Sequence, residues 1–194
     1  MDAFEQLKAE CSSCNRCGLC STRTNLVFGV GNEHSDLMFI GEGPGEKEDL
    51  QGIPFVGPAG KLLDVQLELI GLKREDVYIA NIVKCRPPLN RDPAPEERAA
   101  CYEWLQRQIA LVDPKVIVCL GRISATSLID PNFRITRDHG QWYELEGRKY
   151  IATFHPSALL RDESKRPDAF SDFRAIRAEL RDIGFYKIKD SSPV

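Results

Sequence analysis

Short apolar runs alternate with amphipathic segments along most of this chain. The apolar runs stand at 37–40, 77–83 and 115–120, and helical patterns occupy 59–71, 95–112, the residues after Gly121 and 167–184. Runs of this length are typical of buried strands, whereas apolar positions three and four residues apart indicate helices. Because each strand is followed by a crossover helix, the pattern predicts an α/β fold with three αβα layers around a central, mostly parallel sheet.

The last third of the chain departs from this alternation. The segments GQWYELEG at 140–147 and RKYIATF at 148–154 flank a Glu-Gly turn, which predicts an antiparallel hairpin. The 194 residues, of which 42% are hydrophobic, can bury one core, and no glycine-serine linker divides them. We therefore expect a single domain over 1–194, with a frayed tail at 189–194.

The charge balance limits the classes of partner. A net charge of -3 argues against a protein that coats nucleic acid by bulk attraction. Two local basic clusters exist nevertheless, one formed by Lys84, Arg86 and Arg91 and the other by Arg161, Lys165 and Arg166. Such clusters are either solvated surface or phosphate contacts, and their positions beside the motifs described below favour phosphate contact.

The N-terminal segment MDAFEQLKAE gives no sign of secretion. It is charged and lacks the apolar core of a signal peptide, and no later run is long enough to cross a membrane. We therefore expect no membrane partner and an intracellular, cytoplasmic location close to the nucleoid. Because disulfides are uncommon there, the seven cysteines need another explanation.

The cysteines have the spacing of a metal or iron-sulfur site. Thiolates bind zinc and iron-sulfur clusters, and a two-residue gap lets neighbouring sulfurs face one centre. The spacing favours a split set that joins the N-terminal segment to the middle of the chain, formed by Cys14, Cys17, Cys85 and Cys101. A local set of Cys11, Cys14, Cys17 and Cys20 stays open as an alternative, although its gaps match neither zinc knuckles nor the ferredoxin run.

Glycine and polar residues stand where the predicted strands end, which is where ligands bind in a parallel sheet. Gly41, Glu42 and Gly43 follow the first strand in a glycine-rich turn that matches neither a Walker loop nor a dinucleotide fingerprint. Asn81 interrupts the apolar second strand, and a buried carboxamide needs a partner or a ligand. His155 leaves a strand where a helix begins, so its imidazole can face a cleft.

Taken together, these segments resemble the family 4 uracil-DNA glycosylases, which contain a 4Fe-4S cluster. The resemblance runs from about Cys14 to the last helix and rests on GEGPGEKED at 41–49, PFVGPAG at 54–60, NIVKCRPPLNR at 81–91, Cys101 and FHPSALLR at 154–161. It implies the uracil-DNA glycosylase fold and a cluster on the split cysteine set. It also implies a monofunctional, monomeric enzyme of base excision repair that releases uracil from single- or double-stranded DNA and leaves an abasic site.

The resemblance assigns roles to individual residues. Phe55 would stack on a uracil that has left the helix, and Asn81 would pair with the edge of that base. His155, joined by backbone amides near Gly41 to Gly43, would stabilise negative charge on uracil O2. Glu42 would position or activate the attacking water.

The resemblance also assigns roles to neighbouring residues. Glu48 is expected near uracil C5, where it would exclude the methyl group of thymine. Leu159 or Leu160 would wedge into the duplex, with Arg161 on a phosphate, although both leucines also fit ordinary packing of a short helix. The basic cluster at 84–91 is expected to contact DNA.

Two other classes compete with a glycosylase. A non-catalytic iron-sulfur module that binds DNA or accompanies a polymerase would share the fold, but it would not need Phe55, Asn81 and His155. An iron-sulfur electron carrier would explain the cysteines alone. In a glycosylase the cluster is expected to be structural, because hydrolysis of the glycosidic bond moves no electrons.

Overall fold

A central sheet of six strands organises the fold. The computed structural model describes residues 2–185 and 187, and the tail predicted to fray at 189–194 lies outside them. The strands are β1 (Val30–Gly31), β2 (Leu37–Gly41), β3 (Tyr78–Asn81), β4 (Val116–Leu120), β5 (Trp142–Leu145) and β6 (Arg148–Thr153). All three apolar runs predicted to be strands therefore form strands.

The strand order is β1-β3-β2-β4-β6-β5. The four inner strands are parallel, whereas β1 and β5 run antiparallel to their neighbours at the two edges. The predicted hairpin is confirmed, because Glu144 of β5 pairs with Lys149 of β6. Its turn residues Glu146 and Gly147 have φ angles of 51° and 75°, as a tight hairpin turn requires.

Helices cover both faces of this sheet, which confirms the predicted α/β fold class. They are α1 (Ala3–Ser12), α2 (Glu46–Gln51), α3 (Pro58–Leu69), α4 (Pro95–Val112), α5 (Arg122–Leu128), α6 (Ile135–Asp138), α7 (Pro156–Arg161) and α8 (Arg166–Asp182). The helix α4 has its predicted bounds because Pro95 starts it and the Glu97 carboxylate accepts the N–H of Ala94 at 2.8 Å. The helices α1, α2 and α6 were not predicted.

The two faces of the sheet bury separate cores. Successive side chains of a strand point to opposite faces, so Met38 and Ile40 of β2 enter one core while Leu37 and Phe39 enter the other. The first core includes residues of α1 and α4, and the second includes residues of α3 and α8. No helix in the described part of the chain combines the length and the apolar character needed to cross a membrane.

Candidate active site and cysteine cluster

A cleft of about 490 Å³ lies beyond the carboxyl ends of the parallel strands. Glu42, Asn81 and His155 line it from the ends of β2, β3 and β6, and Phe55 lines it from the loop before α3. The fold therefore brings together the side chains that were predicted for base recognition and catalysis.

Phe55 is held in a strained backbone conformation. Its φ angle is 54°, in the left-handed region that bulky residues rarely adopt. Arg74 donates hydrogen bonds to the carbonyl oxygens of Pro54 and Phe55, and a side chain at Gly60 would collide with the Phe55 carbonyl group. The Phe55 ring lies 5.6 Å from the His155 ring, centroid to centroid. These contacts fix the ring as one wall of the cleft.

Asn81 carries an unpaired polar atom into the site. The residue is 2% exposed, and its Oδ1 atom has no hydrogen-bond partner within the described part of the chain. A Cβ atom at Gly41 would lie 2.5 Å from this oxygen and 2.6 Å from the Phe55 ring, so only glycine leaves room for both groups. A buried acceptor without a partner costs about 1–3 kcal/mol, and a ligand that carries an N–H group would remove this cost.

His155 presents a neutral imidazole with a defined tautomer. Its Nδ1 atom accepts the backbone N–H of Ser157 at 3.1 Å and lies 2.7 Å from the Ser157 hydroxyl. Because Nδ1 is an acceptor, the ring proton resides on Nε2. Burial lowers the pKa of His155 to about 4, and the positive charge of Arg161 contributes to the lowering. The imidazole is therefore a neutral donor near pH 7.

Glu42 is a carboxyl group poised to exchange a proton near neutral pH. Burial raises its pKa to about 7, and the nearby carboxylate of Asp92 adds to this increase. Arg122 and Arg161 oppose the shift. A general base works best when its pKa lies near the working pH, so this carboxyl group suits the activation of a water molecule.

Glu48 supports the loop that carries Phe55. One of its carboxylate oxygens, Oε1, accepts the backbone N–H groups of Val56 at 2.9 Å and Gly57 at 2.8 Å. The side chain also lines the cleft. Its expected position next to uracil C5 stays a prediction.

Two predicted DNA contacts are wrong. Lys84 is 1% exposed, and its Nζ atom donates to the carbonyl oxygen of Asn81 at 2.8 Å, so its charge lies in the interior and not on the surface. Leu159 is also 1% exposed and packs with Phe154 and Ala169, so it is not available to enter a duplex. Leu160 is 43% exposed, and its wedge role stays a prediction.

Two of the three arginines that were predicted to contact DNA line the cleft, and Arg86 does not. Arg161 lines the cleft and forms no ion pair within residues 2–185 and 187. Arg91 also lines the cleft and binds both carboxylate oxygens of Glu97, at 2.8 Å and 2.7 Å. Arg86 donates to the side-chain oxygen of Asn90 at 2.8 Å. Contact of these three arginines with DNA stays a prediction.

Two residues that position site side chains, Arg74 and Ser157, received no role from the sequence. Ser157 gave a usable signal, because a serine at the start of a helix commonly bonds the local backbone and its neighbours. Arg74 gave none, since its contact with Phe55 spans 19 residues and depends on the tertiary fold.

The split cysteine set comes together on one face of the sheet. Cys85 and Cys101 are buried in the core against which Cys14 and Cys17 pack. Cys11 of the local set is buried in the same core, whereas Cys20, which the local set also requires, is absent from that group of described residues. Burial raises the pKa of Cys101, Lys84 opposes this effect, and Cys17 and Cys14 add to it as neighbours. Within the described ranges, no three His, Cys, Asp or Glu side chains form a group that could hold a single metal ion.

Three N–H groups point at sulfur atoms of the split set. The hydrogen bonds run from Trp104 Nε1 to Cys14 at 3.2 Å, from Arg23 Nη1 to Cys85 at 3.3 Å and from the Lys84 backbone to Cys101 at 3.3 Å. Donors of this kind stabilise the thiolate form, which is the form that binds metal. The donor set therefore suits a sulfur-ligated metal centre.

Comparisons with known proteins agree on one family. The family described as "Uracil DNA glycosylase superfamily" matches residues 28–181. A type-4 uracil-DNA glycosylase from Archaeoglobus fulgidus is 50% identical over 184 residues, which cover 91% of this chain and 92% of the relative. A type-4 uracil-DNA glycosylase from Thermotoga maritima is 48% identical and covers 84% of this chain and 86% of the relative.

A more distant relative has a different name. A DNA polymerase from Bacillus phage SP01 is 33% identical over 153 residues, which cover 78% of this chain and only 16% of the polymerase. A region similar to this chain therefore occurs within a much longer protein.

Proposed function

Because this chain belongs to the uracil DNA glycosylase superfamily, we propose that its cleft binds a uracil extruded from DNA and hydrolyses the bond that joins the base to deoxyribose. The type-4 relatives support uracil-DNA glycosylase activity. One observation carries the assignment of residues: the unpaired Oδ1 atom of Asn81 lies beside the Phe55 ring, in the same cleft as His155.

The shape of the cleft and its polar atoms account for the choice of base. Uracil has an N–H group at N3 beside the O4 acceptor, so Asn81 can accept from N3 through Oδ1 and donate to O4 through Nδ2. Cytosine reverses both polarities. The Phe55 ring offers a face for stacking, and stacking on an aromatic ring contributes about 1–3 kcal/mol per base. Glu48, at the same wall, is assigned the exclusion of the thymine methyl group.

His155 stabilises the leaving base, and Glu42 activates the attacking water. When the bond between C1′ and N1 breaks, its electron pair moves to uracil and its charge spreads to O2. The Nε2–H group of His155 donates to this oxygen, assisted by backbone amides near Gly41 to Gly43. The oxygen of a water molecule bonds to the electron-poor C1′, and the Glu42 carboxylate accepts a proton from that water. The uracil anion leaves and takes up a proton from solvent, and Glu42 releases the proton that it accepted. The products are free uracil and an abasic site.

We assign contacts with the DNA to residues at the edge of the cleft. Arg91 and Arg161 supply positive charge at the cleft, and Arg86 precedes the cleft-lining Pro87. Leu160 offers an exposed apolar side chain on α7. Glu42, Phe55, Asn81 and His155 line one cleft of a single chain, so the proposed chemistry needs no residue of a second subunit, and we propose a monomer.

We also propose that a 4Fe-4S cluster is held by Cys14, Cys17, Cys85 and Cys101. The three N–H groups that point at the sulfurs of Cys14, Cys85 and Cys101 support this assignment, because such donors stabilise the thiolates that would hold the cluster. When bound, the cluster supplies a cross-link between the N-terminal segment and the loop from Cys85 to Cys101, which carries part of the cleft rim.

The phage polymerase relative supports a second candidate, a module that binds DNA beside a polymerase without cutting it. Such a module would not require the unpaired amide of Asn81 or the strained backbone of Phe55. Their presence favours the glycosylase.

Excision from a labelled oligonucleotide with a single uracil tests the proposal. We expect release of uracil but not of thymine or cytosine, and alkaline cleavage at the abasic site. Asn81→Ala should abolish excision. Gln66→Ala is the matched control, because Gln66 also buries a side-chain oxygen without a partner in the described residues but does not line the cleft. Binding of uracil-containing DNA without excision would replace the glycosylase by the binding module.

A further inference from the structure

Leu89, in the loop between Cys85 and Cys101, is exposed to solvent. Leu89 is 95% exposed, more than any other large hydrophobic residue in the described part of the chain. It lies in a short 3-10 turn, Pro88–Asn90, and its φ angle is 54°. A bulky residue in the left-handed region costs about 1–3 kcal/mol, and such strain concentrates at functional sites. Leu89 therefore combines an unfavourable backbone conformation with an almost fully exposed apolar side chain.

Hydrogen bonds hold the loop on both sides of Leu89. The Asn90 backbone N–H bonds the Pro87 carbonyl at 3.0 Å, and the Asn90 side chain accepts from Arg86 at 2.8 Å. Beyond the turn, Arg91 binds both carboxylate oxygens of Glu97. The exposure of Leu89 is consequently a property of a fixed turn, because its neighbours on both sides are bonded into the fold.

Leu89 also stands at the rim of the cleft. Pro87 precedes it and Asn90 and Arg91 follow it, and all three line the cleft. On α7, Ala158 and Arg161 line the same cleft. Leu89 on this loop and Leu160 on α7 are therefore two exposed leucines whose sequence neighbours line the cleft.

We propose that Leu89 inserts into the base stack of a duplex when a uracil is extruded into the cleft. The inference rests on the proposed function. Extrusion leaves a gap between the flanking base pairs, and an apolar side chain that fills it offsets part of the lost stacking. A positive-φ turn pinned on both sides can present this side chain without being reordered on binding. Leu89 is thereby a determinant of activity on double-stranded DNA.

The test compares double-stranded and single-stranded oligonucleotides of one sequence with a single uracil. In Leu89→Asn we expect kcat/KM on the duplex to fall at least about tenfold more than kcat/KM on the single strand, because a single strand has no pair stack to fill. Asparagine tolerates the left-handed region, so this variant keeps the turn and removes only the apolar surface. Leu89→Met should retain most of the wild-type rate on the duplex, because methionine is also apolar.

A second readout separates insertion from general damage. With 2-aminopurine next to the uracil, binding of the wild type should raise fluorescence as the neighbouring base unstacks, and Leu89→Asn should lose most of this rise. Leu69→Ala is the matched control, since Leu69 is 44% exposed at the far end of α3 and outside the cleft lining.

The outcomes distinguish this proposal from the proposed function. Equal losses on both substrates in Leu89→Asn, or no loss on either, would overturn insertion while leaving the glycosylase intact. A wild type that releases no uracil even from single strands would instead overturn the glycosylase.

Discussion

The buried ammonium group of Lys84 donates a hydrogen bond to the carbonyl oxygen of Asn81 at 2.8 Å. Its backbone N–H at the same time bonds the sulfur of Cys101. One residue thus connects the strand end that carries Asn81 with Cys101. Two hydrogen bonds therefore satisfy polar groups of a lysine that lies inside the protein.

Lys84→Met should impair catalysis without weakening phosphate contact. The methionine has similar length but leaves the Asn81 carbonyl oxygen unpaired, which costs about 1–3 kcal/mol and loosens the base-reading amide. We expect kcat to fall about tenfold. The dependence of binding on salt, measured by DNA titration, should stay unchanged, whereas Arg161→Met should reduce its slope by about one. Equal slopes for both variants would place Arg161 away from the phosphates.

Excision should depend on the protonation of Glu42. Because its pKa is raised to about 7, the rate should climb with pH up to about 7 and then level off. Glu42→Gln should lose most of the activity, and the rate that remains should no longer rise with pH below about 7. Glu46→Gln, a change at an exposed neighbour, should retain the wild-type profile. A pH–rate profile of kcat for the three proteins gives the comparison.

The same carboxyl group should make the fold less stable at high pH. A raised pKa means that the folded state binds the proton more tightly, so stability is lost as pH rises from 4.5 to about 7. The melting temperature of Glu42→Gln should therefore exceed that of the wild type at pH 8 but not at pH 4.5. The difference at pH 8 should be about 2–4 °C for each kcal/mol of unfolding free energy. The lowered pKa of His155 acts in the opposite sense, with stability lost as pH falls from 6.5 to about 4, and it affects both proteins equally.

Gly41→Ala should disable the site more than it harms the fold. The added Cβ would lie 2.5 Å from the Asn81 oxygen and 2.6 Å from the Phe55 ring, so one of them must move. A displacement of this size can lower kcat/KM about 100-fold. Gly18→Ala is the control, because a Cβ at Gly18 meets no atom within 4 Å. Wild-type excision by Gly41→Ala would contradict the geometry described for the three residues.

Arg74 should act only through Phe55. Arg74→Lys keeps a positive charge near Asp64 but cannot bond both loop carbonyls, so the Phe55 ring should be less well ordered and KM should rise several-fold. In a Phe55→Ala background the same change should have little further effect, because the ring it positions is gone. Additive losses in this double-mutant cycle would assign Arg74 a separate contact with substrate.

The sulfur contacts predict two different responses of the cysteine cluster. Cys85→Ser should lower the iron content and the melting temperature, because a ligand is lost. Trp104→Phe should retain the iron but lower the reduction potential, since the hydrogen bond from Trp104 to Cys14 is removed. Iron analysis and redox titration measure both effects. One stoichiometric zinc in the purified wild type would replace the iron-sulfur assignment.

The sequence was informative where residue type and strand position agree. Asn81 and His155 stand at the ends of apolar strands, and parallel strands place their carboxyl ends at one edge, so their meeting in a cleft could be predicted. The membership of Phe55 in this site depended on a recognised motif, because its loop has no regular pattern. The helix from Pro95 was predicted with correct bounds because proline and Glu97 mark its start.

The sequence failed where the direction of a side chain decides the outcome. Lys84 and Leu159 belong to segments that alternate or turn within a few residues, and local pattern does not say which side faces solvent. Its charge suggested that Lys84 is exposed. In the structure the Lys84 side chain is buried, where it bonds the Asn81 carbonyl oxygen and lies near the sulfurs of Cys101, Cys11 and Cys85. The role of Arg74 could not be predicted because it depends on a contact with Phe55 from across two loops.

The strand order has a consequence for synthesis of the chain. The strands β2 and β3, which carry Glu42 and Asn81, are made early, yet β4 and β6 complete the sheet only after residue 153. A chain that stops after Leu120 would leave the apolar strand VIVCL as an open edge, ready to pair with another truncated copy. Such a fragment would also lack His155. Incomplete translation is therefore expected to yield an aggregating fragment and not a partly active enzyme.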